Sequence, residues 1–439
     1  MSFEKSYNIQ TFGCAMNEHD SETIAGMLSA LGYIENNEKN NSDVVIINTC
    51  SVRDSADQRF YGILGELKKV KEINKDVTVC ICGCMMQQQS IIDTVKQKYP
   101  WVDIIFGTHN IHEFPKLLTS VVSEKKKLIE VWEDAGEIRE GLPAKRVYPF
   151  KAYVNIIYGC NNFCSYCIVP FTRGRERSRT SSDIIKEVKE LVSDGVKEIT
   201  LLGQNVNSYN GDVDFADLIY LLNEIEGLER IRFMTSHPKD LSDRLIQTFT
   251  ECEKLCNYIH LPVQSGSTNV LNKMNRKYTK EDYLNLIKRL RASNPSIAIT
   301  TDIIVGFPGE TEEDFEDTLD LVRKVKFDSA FTFLYSIRKG TPAEMFKEQI
   351  PEEIKHKRFN RLVDLLNEIS IKKNKALEGH VVSVLVEGIS KKNINTLTGR
   401  TEEFKTINFN GNKELIGHIV NVEVITGKTF NLEGKYIQN

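Results

Sequence analysis

Three cysteines stand at spacings of four and three in the stretch Val154-Asn-Ile-Ile-Tyr-Gly-Cys160-Asn-Asn-Phe-Cys164-Ser-Tyr166-Cys167-Ile-Val-Pro170. An apolar, strand-like run ends at Gly159, and Arg173, Arg175, Arg177 and Arg179 follow the last thiol. Thiols so placed point to metal. A structural zinc site is closed by four protein ligands, and no further Cys or His lies close by in the sequence to supply the fourth. A four-iron cubane held by three cysteines instead leaves one iron open to a small molecule.

Cys14, Cys50 and Cys84 each follow an apolar run, Tyr7 to Phe12, Asp43 to Asn48 and Val77 to Cys82. Side chains at the carboxyl ends of neighbouring parallel strands can meet although far apart in sequence. These three therefore form either a second three-thiolate site or unrelated strand-end thiols. Cys80 and Cys82 share one face inside their strand by alternation and read as buried structural thiols, as do Cys252 and Cys256.

The elements that must position these residues come in three textures. Residues 1–138 alternate strand-like and helix-like runs, which specifies an open, doubly wound α/β domain. Residues 139–148 form a linker, in a stretch where Gly136, Gly141 and Pro143 lie among alternating charges. From 149 to 375 six apolar runs recur: Ala152 to Tyr158, Glu198 to Leu202, Arg230 to Met234, Tyr258 to Leu261, Ile297 to Val305 and Ser329 to Tyr335. Helical patterns separate them, one of them Asp183 to Val192 capped by Ser181 or Ser182. Six units specify a partial (β/α)6 barrel, with its chemistry at the carboxyl ends of the strands. Gly203, Gln204, Ser236, Gln264 and Asp302 fall at those ends and are candidate cofactor contacts, since small and amide-bearing residues let backbone approach a polar ligand. His237 and His260 read as satisfying local hydrogen bonds rather than transferring protons. Residues 376–439 change to short alternating strands, a small all-β barrel of the kind that often binds nucleic acid. That segment holds seven Lys or Arg and seven Asp or Glu, so any RNA surface must come from uneven charge placement.

The 439-residue chain suggests roughly two to three domains. Ten cysteines in such a length are too sparse for a disulfide scaffold and favour metal ligation in a reducing compartment. No apolar run reaches ~18 residues and the N-terminus lacks an apolar signal core, so the expectation is a cytoplasmic protein with no membrane association. A net charge of −4 gives no global argument for nucleic acid. Two local basic groups remain. One is the helical run 351–375, in which a charged face is usually just solvated. The other is the arginine series, at a spacing of two that points all four to one side of an extended segment and makes Arg177 and Arg179 candidate contacts to a cofactor carboxylate or a phosphate.

The Cys160 loop, with aromatic Tyr166 before its last cysteine, resembles the signature of the radical S-adenosylmethionine (SAM) superfamily. Over nearly its full length the chain is similar to one family in it, the tRNA-type radical-SAM methylthiotransferases. The carrying residues are Thr11-Phe-Gly-Cys14-Ala-Met-Asn-Glu-His-Asp20-Ser-Glu22, Asn48-Thr-Cys50-Ser-Val-Arg53, Gly83-Cys84-Met85, the Cys160 loop, His260-Leu-Pro-Val-Gln264-Ser-Gly266, and Leu385-Val-Glu-Gly388 with Gly399-Arg-Thr401 of a TRAM domain. The resemblance implies two 4Fe-4S clusters, an auxiliary one on Cys14, Cys50 and Cys84 and a SAM-binding one on Cys160, Cys164 and Cys167, with Tyr166 near the cofactor. It implies SAM as both methyl donor and radical source, and N6-isopentenyladenosine at position 37, in the tRNA anticodon stem-loop, as the site of 2-methylthiolation. A flavodoxin- or ferredoxin-like low-potential electron donor and a monomeric state follow as expectations. Ala15 replaces a common Gln, and Glu402-Glu403 stand where relatives carry basic or amide residues. Rivals are a sister enzyme acting on threonylcarbamoyladenosine in tRNA or on a ribosomal protein aspartate, and an RNA-binding protein with structural metal. The motif Met16 to Asp20 and the stretch Arg53 to Lys68 look like the isopentenyl type.

Overall fold

Runs of apolar residues with both faces covered build the N-terminal sheet of this computed structural model, which describes residues 5–51, 54–391 and 393–438. Val52 and Arg53 of the second motif lie outside the described residues. The elements are β1 (Ser6–Thr11), α1 (Ala15–Ala30), β2 (Ile34–Glu35), β3 (Val44–Thr49), α2 (Asp54–Ile73), β4 (Thr78–Gly83), α3 (Gln89–Lys98), β5 (Ile104–Phe106), α4 (Phe114–Glu124) and β6 (Leu128–Glu130). The strands pair in parallel in the order β2-β1-β3-β4-β5-β6. Alternation along β3 and β4 divides the core. Val44, Ile46, Cys80 and Cys82 pack on α1 and α4, while Val45, Ile47, Val79 and Ile81 pack on α2 and α3. Cys80 and Cys82 are thus buried on one face, and burial pushes both thiols well up. The edge strands β2 and β6, two and three residues long, have too little apolar pattern to show in the sequence. The chain order reverses between β1 and β3, which makes their carboxyl ends the natural crevice of the sheet.

The second series runs β7 (Lys151–Asn155), β8 (Ile157–Tyr158), α5 (Val169–Thr172), β9 (Arg177–Ser178), α6 (Ser181–Ser193), β10 (Glu198–Leu202), α7 (Phe215–Asn223), β11 (Arg230–Phe233), α8 (Asp243–Glu251), β12 (Tyr258–His260), α9 (Thr268–Lys273), α10 (Lys280–Ser293), β13 (Ala298–Val305), α11 (Glu312–Val325), β14 (Ser329–Leu334) and α12 (Glu352–Lys375). Six parallel strands form two three-stranded halves, β7-β10-β11 and β12-β13-β14. An Ile231–Leu255 bridge and a Cys256 N–H to Ile231 O bond of 3.0 Å join them into an open barrel. The cap of α6 is Thr180, whose side chain accepts the Asp183 N–H, rather than Ser181 or Ser182. Ser181 Oγ is instead drawn to Asp212 Oδ2 at 2.6 Å. On α12 the basic residues are not all solvated: Lys355 and Arg358 are buried and paired with Glu352, and with Glu310 and Glu312, respectively.

The C-terminal strands β15 (Val381–Ser390), β16 (Asn393–Thr401), β17 (Thr406–Asn410), β18 (Ile419–Gly427) and β19 (Leu432–Tyr436) close as β15-β16-β17-β19-β18. This barrel docks on the amino-terminal rim of the larger one. Lys151 pairs with Glu387 at 2.6 Å, Arg230 donates to Ser383 O at 3.0 Å, and Arg232 donates to Thr401 O and Glu402 O at 2.7 Å. Tyr258 meets Phe404 with ring centroids 4.9 Å apart. The backbone carbonyls of Arg400, Thr401 and Glu402 thus face the larger barrel, and Glu402 Oε2 accepts from Asn257 Nδ2 at 3.4 Å.

Asp328, ahead of β14, accepts from Lys373 Nζ at 2.6 Å, Lys405 Nζ at 3.0 Å and Ile299 N–H at 3.0 Å. Burial works to raise its carboxyl, but Lys405 and Lys373 overcome this and hold it below the usual 3.8. A depressed carboxylate contributes stability above its unfolded value and loses it as pH falls through the folded one. Asp328→Asn is expected to cost ~3 kcal/mol, because two partly buried ammonium groups lose their counter-charge. Chemical denaturation checks this, and the variant's stability profile below about pH 4 should be flatter than the parent's.

Candidate functional site

The cysteine loop opens where β7 and β8 end. Gly159 takes φ +76°, and a Cβ there would lie 2.1 Å from the Arg175 carbonyl oxygen, so only glycine lets the β8–β9 ribbon close. The Cys160 N–H donates to Gly174 O at 3.1 Å and the Cys167 N–H to Cys164 O at 2.9 Å, which curls the three thiols into one loop. The segment after α9 clamps it. Ser165 N–H donates to Met274 O at 3.0 Å, Ser165 Oγ to Lys273 O at 2.8 Å and Asn275 Nδ2 to Phe163 O at 2.9 Å.

Arg276 enters from the same segment and is buried. Its Nη1 lies 3.6 Å from Cys164 Sγ, its Nε donates to Tyr278 Oη at 2.8 Å and its Nη2 to Pro262 O at 2.7 Å. Among the described residues no carboxylate pairs with it. A buried cation needs a counter-charge, and the thiolates of a metal-loaded loop are the groups in place to supply it. Burial pushes the metal-free thiols up, Cys160 to about 11 and Cys167 to about 12, so loading must displace protons.

The carboxyl ends of the other strands surround this loop with polar groups that lack partners. Ser236 Oγ and Asn205 Oδ1 are buried and make no hydrogen bond. Gln204 Oε1 accepts the Gly159 N–H, and its Nε2 touches Met16 Sδ on α1. At Gly203 a Cβ would lie 2.3 Å from Ile157 Cγ2. Thr235 and Gln264 both hold φ +68°, and Phe163 and Asn275 also lie at positive φ. Such strain in residues with side chains, clustered at one end of a barrel, marks a ligand clamp. Unsatisfied oxygens and strained backbone together fit a bound polar cofactor. Tyr166 packs edge-on against Phe307 at 6.4 Å, behind the loop. Asp302 faces His260 Nε2 at 3.4 Å, and His260 Nδ1 contacts Thr300 Oγ1 at 2.9 Å. His237 Nδ1 accepts the Lys239 N–H at 3.2 Å, and burial, with Arg276 and Lys239 nearby, drives its ring down to about 2. Both histidines are thus engaged locally.

The other three cysteines meet across the N-terminal crevice. Cys14 Sγ lies 3.9 Å and Cys84 Sγ 3.8 Å from one atom, Asn17 Oδ1. A Cβ on Gly13 would fall 2.7 Å from Cys50 Sγ, so the third thiol closes on the same turn. Asn17, wholly buried, donates to Phe12 O at 2.8 Å and Thr49 O at 2.7 Å and ties the ends of β1 and β3 together. Gly13, Gly83 and Gly159 each precede a cysteine at positive φ, so one local device turns Cys14, Cys84 and Cys160 out of their strands. Among the described residues no three His, Cys, Asp or Glu side chains close on a single-ion point. Three thiols without a fourth ligand suit a four-iron cluster with an open iron at each place.

The arginine series does not extend to one side as expected. Gly174, at φ +77°, breaks the extended backbone, and only Arg177–Ser178 is strand. Arg179, expected at a SAM carboxylate or phosphate, is instead buried and committed to Glu140, to Glu187 at 2.7 Å and to Asn155 O at 2.6 Å. Arg177, with the same expectation, donates to Ala135 O at 3.0 Å and Gly136 O at 2.8 Å. Arg179 clasps the linker at Glu140, and Arg177 clasps the stretch just before it at Ala135 and Gly136. Arg173 turns the other way, into the N-terminal domain. Asn17, Arg173 and Arg276 were not among the candidate site residues; the arginine series and the turn-like Asn275-Arg276-Lys277 were the signals that could have suggested the last two.

Three family models match the chain. Residues 154–322 match the Radical SAM superfamily, residues 6–107 an uncharacterized protein family, UPF0004, and residues 375–437 the TRAM domain. The chain is 55% identical over 438 residues to a protein of Alkaliphilus oremlandii (strain OhILAs) named tRNA-2-methylthio-N(6)-dimethylallyladenosine synthase, covering 99% of this chain and 93% of that one. A protein of Clostridium tetani (strain Massachusetts / E88) with the same name is 56% identical over 436 residues, covering 98% and 96%. Among solved structures, the radical S-adenosylmethionine methyltransferase TsrM from Kitasatospora setae superposes with a TM-score of 0.57 at 13% identity, over 83% of this chain and 89% of that one. At that identity the likeness is one of fold. The radical-SAM fold implies a 4Fe-4S cluster and SAM.

Proposed function

Since the chain belongs to the family of tRNA-2-methylthio-N(6)-dimethylallyladenosine synthases, we propose that it places a methylthio group on C2 of N6-isopentenyladenosine at position 37 of tRNA, in a site shared by two domains. It is an enzyme and its substrate is tRNA. The observation that carries the two-domain reading is the placement of six cysteines as two triads, with Gln204 touching the Gly159 turn of one and Met16, two residues after Cys14, of the other.

When bound, SAM and a cluster on Cys160, Cys164 and Cys167 supply a methyl group and a carbon radical, and a second cluster on Cys14, Cys50 and Cys84 supplies sulfur. An aromatic C–H bond has no useful acidity for a general base, which is why radical chemistry is required. The residues of this chain then bind, orient and exclude water. Ser236 Oγ and Asn205 Oδ1 offer unsatisfied partners to SAM, and the backbone at Gly203 and Gln264 with the Asp302 carboxylate completes its cradle. His237, kept neutral beside Arg276, adds no proton to the radical site. Tyr166 supports the loop from behind. The target base lies in a single-stranded loop and can be splayed out at small cost. The C-terminal barrel, docked at the far rim, would hold the anticodon stem. Reduction by a flavodoxin- or ferredoxin-like protein, a monomeric state and a cytoplasmic location complete the reading. No helix among the described residues is long and apolar enough to cross a membrane.

Nucleoside analysis of tRNA from a strain lacking this protein tests the substrate. The 2-methylthio-isopentenyl nucleoside should vanish while its isopentenyl precursor accumulates. An undiminished product, or loss of a threonylcarbamoyl or ribosomal-protein modification instead, transfers the assignment to the sister activity.

A further inference from the structure

Arg173 lies at the end of α5, six residues after Cys167, yet its side chain belongs to the other domain. Its Nη2 donates to Asp20 Oδ2 at 2.6 Å and to Asn17 Oδ1 at 2.8 Å, and its Nε lies 3.2 Å from Cys84 Sγ. Both Arg173 and Asp20 are buried. Beside them a second cross-domain bond runs from Thr108 Oγ1 to Thr172 O at 2.9 Å. We propose that Arg173 is a positioning residue of the auxiliary cluster, delivered from the SAM-binding domain, so that the auxiliary site is electrostatically complete only when the two domains are docked. This rests on the two-cluster reading given above.

Three features support it. First, the guanidinium contacts both a cluster thiol and Asn17, the residue on which Cys14 and Cys84 converge, so one cation fixes the geometry of the triad. Second, the charges are arranged in series. Arg173 sets its Nε against Cys84 Sγ at 3.2 Å, while Asp20 holds its Nη2 at 2.6 Å. A cation on the sulfur side favours the more negative, reduced cluster; a carboxylate behind it opposes reduction. Third, Asp20 and Arg173 line a cavity of ≈ 640 Å³ bounded by the linker, which also meets His109 and Arg177. The ion pair is therefore the wall between that cavity and the thiols, and its loss would also raise solvent exposure of the cluster.

The same short segment that carries Cys167 thus carries the charge that tunes Cys84. Undocking the domains would remove the cation from the auxiliary site, so the second cluster would hold its working potential only in the assembled active site.

The test is a redox titration followed by electron paramagnetic resonance in the full-length Cys160→Ala, Cys164→Ala, Cys167→Ala background, in which only the auxiliary cluster can form. Arg173→Met should lower the ratio of reduced to oxidised cluster at least tenfold at a fixed poise, a midpoint about 59 mV more negative for one electron. Arg173→Lys should recover part of that shift, and Asp20→Asn should move the midpoint the opposite way. Opposite signs cannot come from general loosening of the fold. A protein that binds no iron in this background refutes the two-cluster reading itself. Iron retained with an unmoved midpoint in Arg173→Met overturns the role of Arg173. Should Arg173→Met fail to hold iron, Asp20→Asn decides: a positive shift supports the proposal, and no shift or a negative one overturns it.

Discussion

Replacing Cys14, Cys50 and Cys84 together by Ala is expected to take the anaerobically reconstituted protein from about eight irons per chain to about four, and to abolish methylthiolation while leaving SAM cleavage intact. The separation of the two effects follows from the geometry. The Cys160 loop is held by Ser165, Asn275 and Arg276, all within its own domain, and none of these contacts passes through the N-terminal crevice. Removing the auxiliary thiols deletes a sulfur source without dismantling the place where SAM is bound. The complementary triple substitution at Cys160, Cys164 and Cys167 should also halve the iron but remove SAM cleavage altogether. Iron analysis, quantification of 5′-deoxyadenosine and nucleoside analysis of the tRNA read the three quantities separately. Zinc in place of iron, or iron unchanged in the auxiliary triple variant, defeats the two-cluster account.

Arg276→Leu should be nearly as damaging as losing a cluster ligand. The guanidinium is buried with three kinds of partner: a carbonyl, a phenol and the Cys164 sulfur. Leucine removes the only positive charge placed on that loop by these contacts and leaves buried thiolates without a counter-ion, a loss of ~3–5 kcal/mol when one member of a buried charge pair is deleted. That corresponds to a cluster bound at least a hundredfold more weakly. Measured in the Cys14→Ala, Cys50→Ala, Cys84→Ala background, where only the SAM-binding cluster contributes, iron should fall from about four toward zero. Arg276→Lys should retain part of it, because the ammonium keeps the charge but cannot reach Pro262 O, Tyr278 and Cys164 at once. Full iron in Arg276→Leu would show that the loop needs no cation.

The arginines show how sequence patterns mislead. A spacing of two suggests one exposed face, but that inference requires an extended backbone throughout, and Gly174 at positive φ interrupts it. The result is that Arg173 enters the N-terminal domain while Arg179 fastens the linker at Glu140 and Arg177 the Ala135–Gly136 stretch before it. Charge runs carried the same ambiguity on α12, where Lys355 and Arg358 are buried ion-pair partners. Long charged side chains reach several ångströms from their Cα, so their destinations depend on neighbours that sequence spacing does not specify.

What the sequence determined by itself was local: the identity and spacing of Cys160, Cys164 and Cys167, the glycine before each turning cysteine, the six apolar runs of the open barrel and the texture of the small C-terminal one. Each depends on residues within a few positions of one another, where alternation, turn chemistry and ligand spacing act directly. Only the tertiary structure decided that Cys14 and Cys84 converge on Asn17 with Cys50 against the adjoining Gly13 turn, that Arg276 and Arg173 each lay a guanidinium on one thiol of a different triad, and that the C-terminal barrel docks through Arg230 and Arg232 at the rim away from both. Those facts require strands far apart in the chain to adopt a particular order and register. They arise from burying apolar faces and pairing buried charges across domains, and neither leaves a periodic mark in the chain.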